Sequence, residues 1–184
     1  MKKVYLFAAE GFEEIEGLTV VDLLRRAQID CRIVSMNETK LVTGSHGIAV
    51  QADLLFDAKT LADGDMYVLP GGMPGTNHLM AHEGLRGLLT SPQTADRYIA
   101  AICAAPSVLG QFGLLAGKKA TCYPGFEGKL TGAEVLPDGV VTDGRIITSR
   151  GLGTAIDFAL ALTSLLADSA AADALASSIQ YSRV

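Results

Sequence analysis

The chain has 184 residues, 49% of them hydrophobic, and a formal net charge of −5 at pH 7. A chain of this length can build one sizeable hydrophobic core and has little room for two, so we expect a single domain over residues 1–184. The negative charge argues against a nucleic-acid-binding protein, whose contact surface would be basic.

The chain begins with a short apolar run, Val4–Ala9, which follows two lysines and ends at Glu10. This run is too short for the apolar core of a secretory signal and far too short to cross a bilayer. We therefore interpret it as the first strand of a cytoplasmic protein that does not interact with membranes.

Further apolar runs alternate with helical patterns after this strand. The runs predict strands at Cys31–Met36, Met66–Pro70, Tyr98–Cys103 and Arg145–Ser149, with a weaker strand at Ala120–Tyr123. Helical periodicity is found at Glu13–Gln28, Glu83–Leu89, Pro106–Phe112, Thr154–Asp168 and Ala170–Gln180. The segment Lys40–Leu55 is interpreted as a hairpin. This alternation predicts an α/β fold, with a mostly parallel central sheet covered by helices on both faces.

The cysteines and histidines form no metal-binding pattern. The three cysteines are widely spaced and lack a C-x-x-C motif, which argues against a disulfide framework and a zinc site. Of the three histidines, only His78 and His82 are four residues apart, and they straddle a predicted break between helices. We expect no bound metal ion and a surface position for this pair.

The segments that follow the predicted strands give a candidate site, because ligands of open α/β sheets bind beyond the carboxyl ends of the strands. These segments are Glu10–Glu16, Gly71–Gly75, Cys103, Tyr123–Gly125 and Arg150–Gly153. They would place a carboxylate cluster, a glycine loop, a thiol, a phenol and a guanidinium around one crevice. Gly71, Tyr123, Arg150 and Gly151 are the residues that we expect to line it.

Cys103 lies where a buried strand turns abruptly into a helix that opens with Ala104, Ala105 and Pro106. A thiol at the amino end of a helix is stabilised as the thiolate, which lowers its pKa. This is the geometry of a nucleophile elbow, with cysteine in place of serine. The alternative is a cysteine that fills a small hole in the core, and spacing alone leaves both interpretations open.

The glycine loop Gly71–Gly75 matches neither the dinucleotide-binding nor the P-loop motif. The loop after the first strand is acidic and would repel a phosphate, so we expect no nucleotide or flavin. The N–H groups of Gly72 and Ala104 can instead form an oxyanion hole beside Cys103. The alternative is a tight turn without a catalytic role.

Three glutamates near the start of the first helix are candidates for a proton-transferring group: Glu13, Glu14 and Glu16. A carboxyl group that lies buried beside a thiolate has a raised pKa and can hold and move a proton. Spacing does not decide among the three, and most glutamates in a first helical turn are solvated.

Five stretches resemble the ThiJ/PfpI superfamily, and in particular its DJ-one/YajL branch, a glutamine amidotransferase class I-like domain. The matching stretches are Glu10–Glu16, Val21–Ala27, Val68–Gly72, Ala100–Pro106 and Thr148–Thr154. The resemblance implies a flavodoxin-like three-layer sandwich that forms a homodimer and uses no cofactor. It also implies that Cys103 is the reactive cysteine and that Glu16 is the protonated glutamate beside it.

The activities described for this family are directed at reactive dicarbonyls. They are a glutathione-independent glyoxalase activity, which makes lactate from methylglyoxal or glycolate from glyoxal, and a deglycase activity on methylglyoxal-modified amino groups. The resemblance therefore implies an enzyme that forms a hemithioacetal at Cys103 and transfers protons through Glu16. The alternative is an oxidative-stress sensor or chaperone-like protein in which Cys103 is reversibly oxidised with little turnover.

Two positions depart from the family pattern. Tyr123 stands where the family often has a histidine, and a phenol is a poor base at neutral pH. His46 stands where relatives commonly carry an arginine; it is either an exposed hairpin residue or an imidazole supplied to the partner subunit's site. Because no histidine follows Cys103, a cysteine protease mechanism lacks its base.

Overall fold

The computed structural model describes residues 1–182 and is organised around a seven-stranded sheet. The strands are β1 Lys3–Ala8, β2 Asp30–Ser35, β3 Leu41–Thr43, β4 Ala49–Gln51, β5 Leu54–Leu55, β6 Met66–Leu69, β7 Tyr98–Ile102, β8 Lys119–Ala120, β9 Glu134–Val135, β10 Val140–Asp143 and β11 Ile146–Ser149. The helices are α1 Glu14–Arg26, α2 Ala58–Leu61, α3 Gly75–Ala81, α4 Glu83–Leu89, α5 Pro106–Gln111, α6 Ala155–Leu166 and α7 Ser169–Ser178.

The strand order in the main sheet is β10-β11-β7-β6-β1-β2-β5. Its pairs are parallel except for β10, which runs antiparallel to β11 at one edge. The carboxyl ends of β1, β6, β7 and β11 are therefore neighbours, and the segments that follow them meet at one end of the sheet. This arrangement confirms the predicted flavodoxin-like α/β fold.

Each face of the sheet is covered by its own hydrophobic core. Alternate residues of β1 point to opposite faces, so Leu6 joins a cluster with Val20 of α1 and Phe158 of α6. Phe7 joins the other cluster, which includes Leu85 of α4 and Leu109 of α5. The helices thus cover both faces of the sheet, as predicted.

The weak strand that the sequence predicts at Ala120–Tyr123 is wrong in its extent. Only Lys119–Ala120 is a strand, and it pairs with Glu134–Val135 in a small sheet of its own. The chain then leaves this sheet, and the N–H of Tyr123 donates a hydrogen bond to the carbonyl oxygen of Cys103 (2.8 Å). The end of this segment therefore lies against the carboxyl end of β7.

Four elements were not predicted, α2, α3, β9 and β10, although the hairpin and the helix break were. Helix α3 begins directly inside the glycine-rich segment, where Gly75 and Pro74 had indicated a loop. The edge strand β10 was also missed. The predicted hairpin forms from β3 and β4, and His82 lies at the predicted break between α3 and α4. No helix among residues 1–182 combines the length and apolar character needed to cross a membrane.

Candidate active site

Cys103 occupies a strained turn between β7 and α5. Its φ of +64° lies in the left-handed region, which a residue with a side chain rarely adopts and which often marks a functional site. Its N–H donates to the carbonyl oxygen of Ser149 (2.9 Å), and its own carbonyl accepts from Tyr123. The turn is therefore held from both sides, while the side chain itself is only partly buried.

Glu16 faces Cys103 from the first turn of α1. Its Oε2 accepts a hydrogen bond from the N–H of Gly71 (3.0 Å). Glu16 Oε2 and Cys103 Cβ would both lie 2.6 Å from a Cβ placed on Gly71, so the carboxyl group and the thiol are neighbours. Only 1% of Glu16 is exposed. The structure thus brings together the thiol, the carboxyl group and the backbone of the glycine loop, three features that the sequence predicted separately.

The other two glutamates bind the β3–β4 hairpin instead. Glu14 Oε1 accepts hydrogen bonds from the N–H groups of His46 (2.8 Å) and Ile48 (3.3 Å). Burial alone would raise the pKa of Glu14, but its own backbone N–H, these two donors and the His46 ring outweigh burial and lower the pKa to about 2. Glu13 Oε2 accepts from the hydroxyl of Ser45 (3.1 Å). Both glutamates therefore anchor a loop.

His46 lies on the tip of the hairpin with an exposed ring. Its Nδ1 lies 3.1 Å from Glu14 Oε2 and 3.5 Å from Glu13 Oε2, and the hydrogen bond with Glu14 raises its pKa. Possible ligand atoms of the three side chains lie within 4.8 Å of one another. The Glu14 oxygens are already engaged by N–H donors, so the cluster is explained by hairpin anchoring.

The pKa of the Cys103 thiol is shifted in the direction opposite to the prediction. The helix end was expected to lower the pKa of Cys103, but burial, followed by the Glu16 carboxylate, raises it to about 12. Burial also raises the pKa of Glu16, to about 7. Because the two groups are in contact, they titrate as a pair. The pair loses one proton near pH 7 and holds the second across the physiological range.

The backbone around the pair favours a negative charge on sulfur. The N–H groups of Ala104 and Gly72 both act on the Cys103 thiol and lower its pKa. Both N–H groups oppose the effect of burial on the pKa of Cys103, as a helix end was predicted to do. Burial nevertheless outweighs them. These are the two N–H groups that the sequence predicted for an oxyanion hole, and they converge at the sulfur.

Close approach of two loops explains the glycines at this site. A Cβ on Gly72, whose φ is +89°, would lie 2.3 Å from the backbone nitrogen of Glu13. A Cβ on Gly71 would lie 2.6 Å from both Cys103 Cβ and Glu16 Oε2. The glycine loop therefore has structural as well as chemical reasons for its composition.

Of the remaining residues that were predicted to line the site, Gly151 lies beside the Glu16–Cys103 pair, whereas the charge of Arg150 acts elsewhere. Gly151 lies beside the pair, because a Cβ there would be 3.2 Å from the Tyr123 ring and 3.7 Å from Glu16 Oε1. The charge of Arg150 instead acts on Glu127, whose pKa it helps to lower, and on Cys122. The charge of Arg150 therefore acts on the segment from Cys122 to Glu127.

Sequence reasoning missed two residues at this site, Met73 and Leu152. The N–H of Leu152 lowers the pKa of Glu16, and Met73 directly follows Gly72 with an exposed side chain. Both lie in the segments that follow predicted strands. Their positions directly after β6 and β11 could have predicted that they lie at the site. Only the polar and glycine residues in these segments were considered as candidates.

Comparison with known proteins agrees with this geometry. The family model described as "DJ-1/PfpI family" matches residues 2–165. The chain belongs to this family. It is 40% identical to protein DJ-1 homolog B of Arabidopsis thaliana over 90% of its own length, but it spans only 38% of that relative. The structure of Toxoplasma gondii DJ-1 in an oxidized form superimposes with a TM-score of 0.93 at 34% identity, covering 100% of both chains.

Two further members of the family carry names that state an activity. Deglycase PH1704 of Pyrococcus horikoshii is 31% identical over 80% of this chain and 89% of its own. Glutathione-independent glyoxalase DJR-1.2 of Caenorhabditis elegans is 32% identical over 88% of this chain and 86% of its own.

Proposed function

We propose that this protein is a cofactor-independent enzyme that converts reactive dicarbonyls such as methylglyoxal into hydroxy acids. The observation that carries the proposal is the buried Glu16–Cys103 pair with the converging N–H groups of Gly72 and Ala104. The names of the two relatives, a deglycase and a glyoxalase, support the same class of substrate.

In the first step, we take the remaining proton of the pair to lie on Glu16 and its charge to lie on the Cys103 sulfur, where the N–H groups of Gly72 and Ala104 favour it. The thiolate attacks the aldehyde carbon of methylglyoxal, and a carbon–sulfur bond forms as the carbonyl electron pair moves to oxygen. The N–H groups of Gly72 and Ala104 stabilise this oxyanion. Glu16 then gives its proton to the oxyanion, which yields a neutral hemithioacetal and a Glu16 carboxylate.

In the second step, Glu16 moves a proton between two carbons. The carboxylate removes the proton from the carbon bonded to sulfur, and an enediolate forms. Glu16 returns the proton to the neighbouring carbon, and the hydroxyl proton on the first carbon moves to the oxygen of the second, which leaves a thioester of lactate on Cys103. Water hydrolyses this thioester and restores the pair, so one methylglyoxal and one water become one lactate and one proton.

The test is lactate formation from methylglyoxal by the purified protein without glutathione. Steady-state turnover that depends on protein concentration is expected. The proposal is wrong if wild-type protein forms no lactate while its Cys103 is readily oxidised to sulfinate. The deglycase activity, the homodimer and the approach of His46 to a partner's site remain predictions.

Gly71→Ala is expected to lower kcat/KM for methylglyoxal about 100-fold. The new methyl group must displace Cys103 Cβ or Glu16 Oε2, each of which would lie 2.6 Å away, and misplacement by about 1 Å can cost 10²-fold. Gly87→Ala is the matched control, because a Cβ at this α4 position meets nothing within 4 Å. Equal turnover by the two variants would contradict the assigned role of Gly71. Thermal melting verifies that both are folded.

A second candidate function, a redox sensor, is favoured by the difference in exposure among the three cysteines. Cys103 is partly exposed, whereas Cys31 and Cys122 are each 1% exposed. Burial shields Cys31 and Cys122 from solvent oxidants, and neither thiol faces the N–H groups of Gly72 and Ala104 that favour a thiolate at Cys103.

Mild peroxide is therefore expected to oxidise Cys103 first, because the thiolate is the reactive species. Peptide mass spectrometry over a peroxide titration measures the fraction of sulfinate at each cysteine. Oxidation of Cys31 or Cys122 ahead of Cys103 would contradict the prediction. Fast oxidation of Cys103 with normal lactate production would leave the enzyme as the primary function.

A further inference from the structure

Three large apolar side chains remain exposed on the loops that form the site. Met73 is 46% exposed, Tyr123 is 50% exposed and Leu152 is 49% exposed. Each belongs to a different loop, following β6, β8 and β11 respectively. We call these three residues the apolar rim. Large apolar side chains that stay exposed as a group on loops next to a reactive thiol indicate a surface that a ligand covers.

Backbone contacts tie each rim residue to the reactive pair. Met73 follows Gly72, whose N–H lowers the pKa of Cys103. The N–H of Tyr123 donates to the Cys103 carbonyl. Leu152 follows Gly151, where a Cβ would lie 3.7 Å from Glu16 Oε1, and its N–H lowers the pKa of Glu16. A substituent on a substrate held at the sulfur would therefore emerge between these three loops.

The charges near the pair are acidic. Glu13 acts electrostatically on Glu16, and the pair itself carries a negative charge above neutral pH. Arg150, the arginine in these loops, acts on Glu127 and Cys122 instead. An anionic substrate would therefore meet repulsion from Glu13 and from the pair.

We infer that the site selects neutral electrophiles with an apolar substituent and discriminates against anionic ones. Resting on the proposed function, this names the substrate class as α-oxoaldehydes that bear an aryl or extended alkyl group, in preference to glyoxal and to phosphorylated or carboxylated dicarbonyls. Burial of one methylene gives about a fourfold gain in affinity, so a phenyl group that is partly covered by the rim is expected to give at least fivefold.

The first arm of the test measures the alkylation rate of Cys103, which does not depend on catalytic turnover. Iodoacetamide, N-phenyl iodoacetamide and iodoacetate are compared, each normalised to its rate with 2-mercaptoethanol at the same pH. The phenyl reagent is expected to react at least fivefold faster than iodoacetamide, and iodoacetate at least tenfold slower. Equal normalised rates for the three reagents would overturn the inference.

Rim variants localise the effect. Met73→Ser and Leu152→Ser are expected to reduce the preference for the phenyl reagent by at least half. Leu55→Ser, at an exposed apolar position (44%) on the edge strand β5, is the matched control and leaves the preference unchanged. A preference that survives both rim substitutions would contradict the assignment to these residues.

The second arm compares kcat/KM for phenylglyoxal and methylglyoxal. A preference for phenylglyoxal of at least fivefold, mainly through KM, supports the inference. Lactate formation without any alkylation preference would retain the proposed function and overturn the inference. Alkylation selectivity without turnover of either dicarbonyl would retain the apolar site and overturn the proposed function.

Discussion

Cys103→Ser is expected to reduce lactate formation from methylglyoxal by at least 10³-fold. A serine hydroxyl ionises far less readily than a thiol, and the thiolate is both the attacking group and the atom that carries the acyl intermediate. The substitution preserves the hydrogen bonds of the residue 103 backbone with Ser149 and Tyr123. We therefore expect a thermal midpoint within about 4 °C of wild type, which corresponds to about 1 kcal/mol for a chain of this size.

The matched control for this experiment is Cys31→Ala. Cys31 lies in β2 within the hydrophobic core and is 1% exposed, so its replacement affects packing without touching the pair. Its turnover per folded molecule is expected to equal that of wild type. Residual activity above one-tenth of wild type in Cys103→Ser would contradict the covalent mechanism.

Glu16→Gln is expected to lower kcat by about 10²–10⁴-fold, the range that a general acid–base group contributes. A glutamine can still accept the hydrogen bond from the N–H of Gly71 (3.0 Å in the wild type), so the loop geometry is retained. It cannot take a proton from one carbon and return it to the next. Steady-state kinetics with methylglyoxal measure this loss.

The same variant tests where the charge of the pair lies. In the proposed mechanism the wild-type sulfur carries the charge and Glu16 the proton, so alkylation by iodoacetamide rises as pH increases through about 7. The glutamine amide can donate to the thiolate in place of the protonated carboxyl group. Alkylation of Glu16→Gln at pH 7.5 is therefore expected within fivefold of wild type.

A different result would place the charge on the carboxylate. If Glu16 is ionised and the thiol protonated, removal of the carboxylate relieves the repulsion that raises the pKa of Cys103. Alkylation would then increase more than tenfold in Glu16→Gln. This outcome would contradict the first step of the mechanism, even if turnover is lost as expected.

The sequence was sufficient to predict the strands that hold the site. The predicted runs at Val4–Ala9, Met66–Pro70 and Tyr98–Cys103 each lie within one residue of β1, β6 and β7. Buried parallel strands are near-continuous apolar runs, and their ends are marked by small residues and proline. Helix α3 was missed because glycine and proline at its start are local signals for a loop, and packing overrides them.

The choice among the glutamates required the tertiary structure. Successive residues of a helix are rotated by about 100°, so Glu14 and Glu16 lie on nearly opposite sides of α1. Glu14 binds the hairpin, and Glu16 contacts Cys103. The spacing of Glu14 and Glu16 predicts that they face different sides of the helix, but it does not predict which segment of the chain packs against each side. The family resemblance named Glu16; only the fold provides the reason.

The chain by itself determined the fold class, the position of Cys103 at a strand end and the segments that meet around it, because these follow from local periodicity and from the general geometry of parallel sheets. Only the tertiary structure decided the electrostatics of the thiol, since burial and Glu16 outweigh the backbone donors of Gly72 and Ala104. It also decided that apolar side chains border the site. Both depend on distances between segments far apart in sequence, which no local pattern encodes.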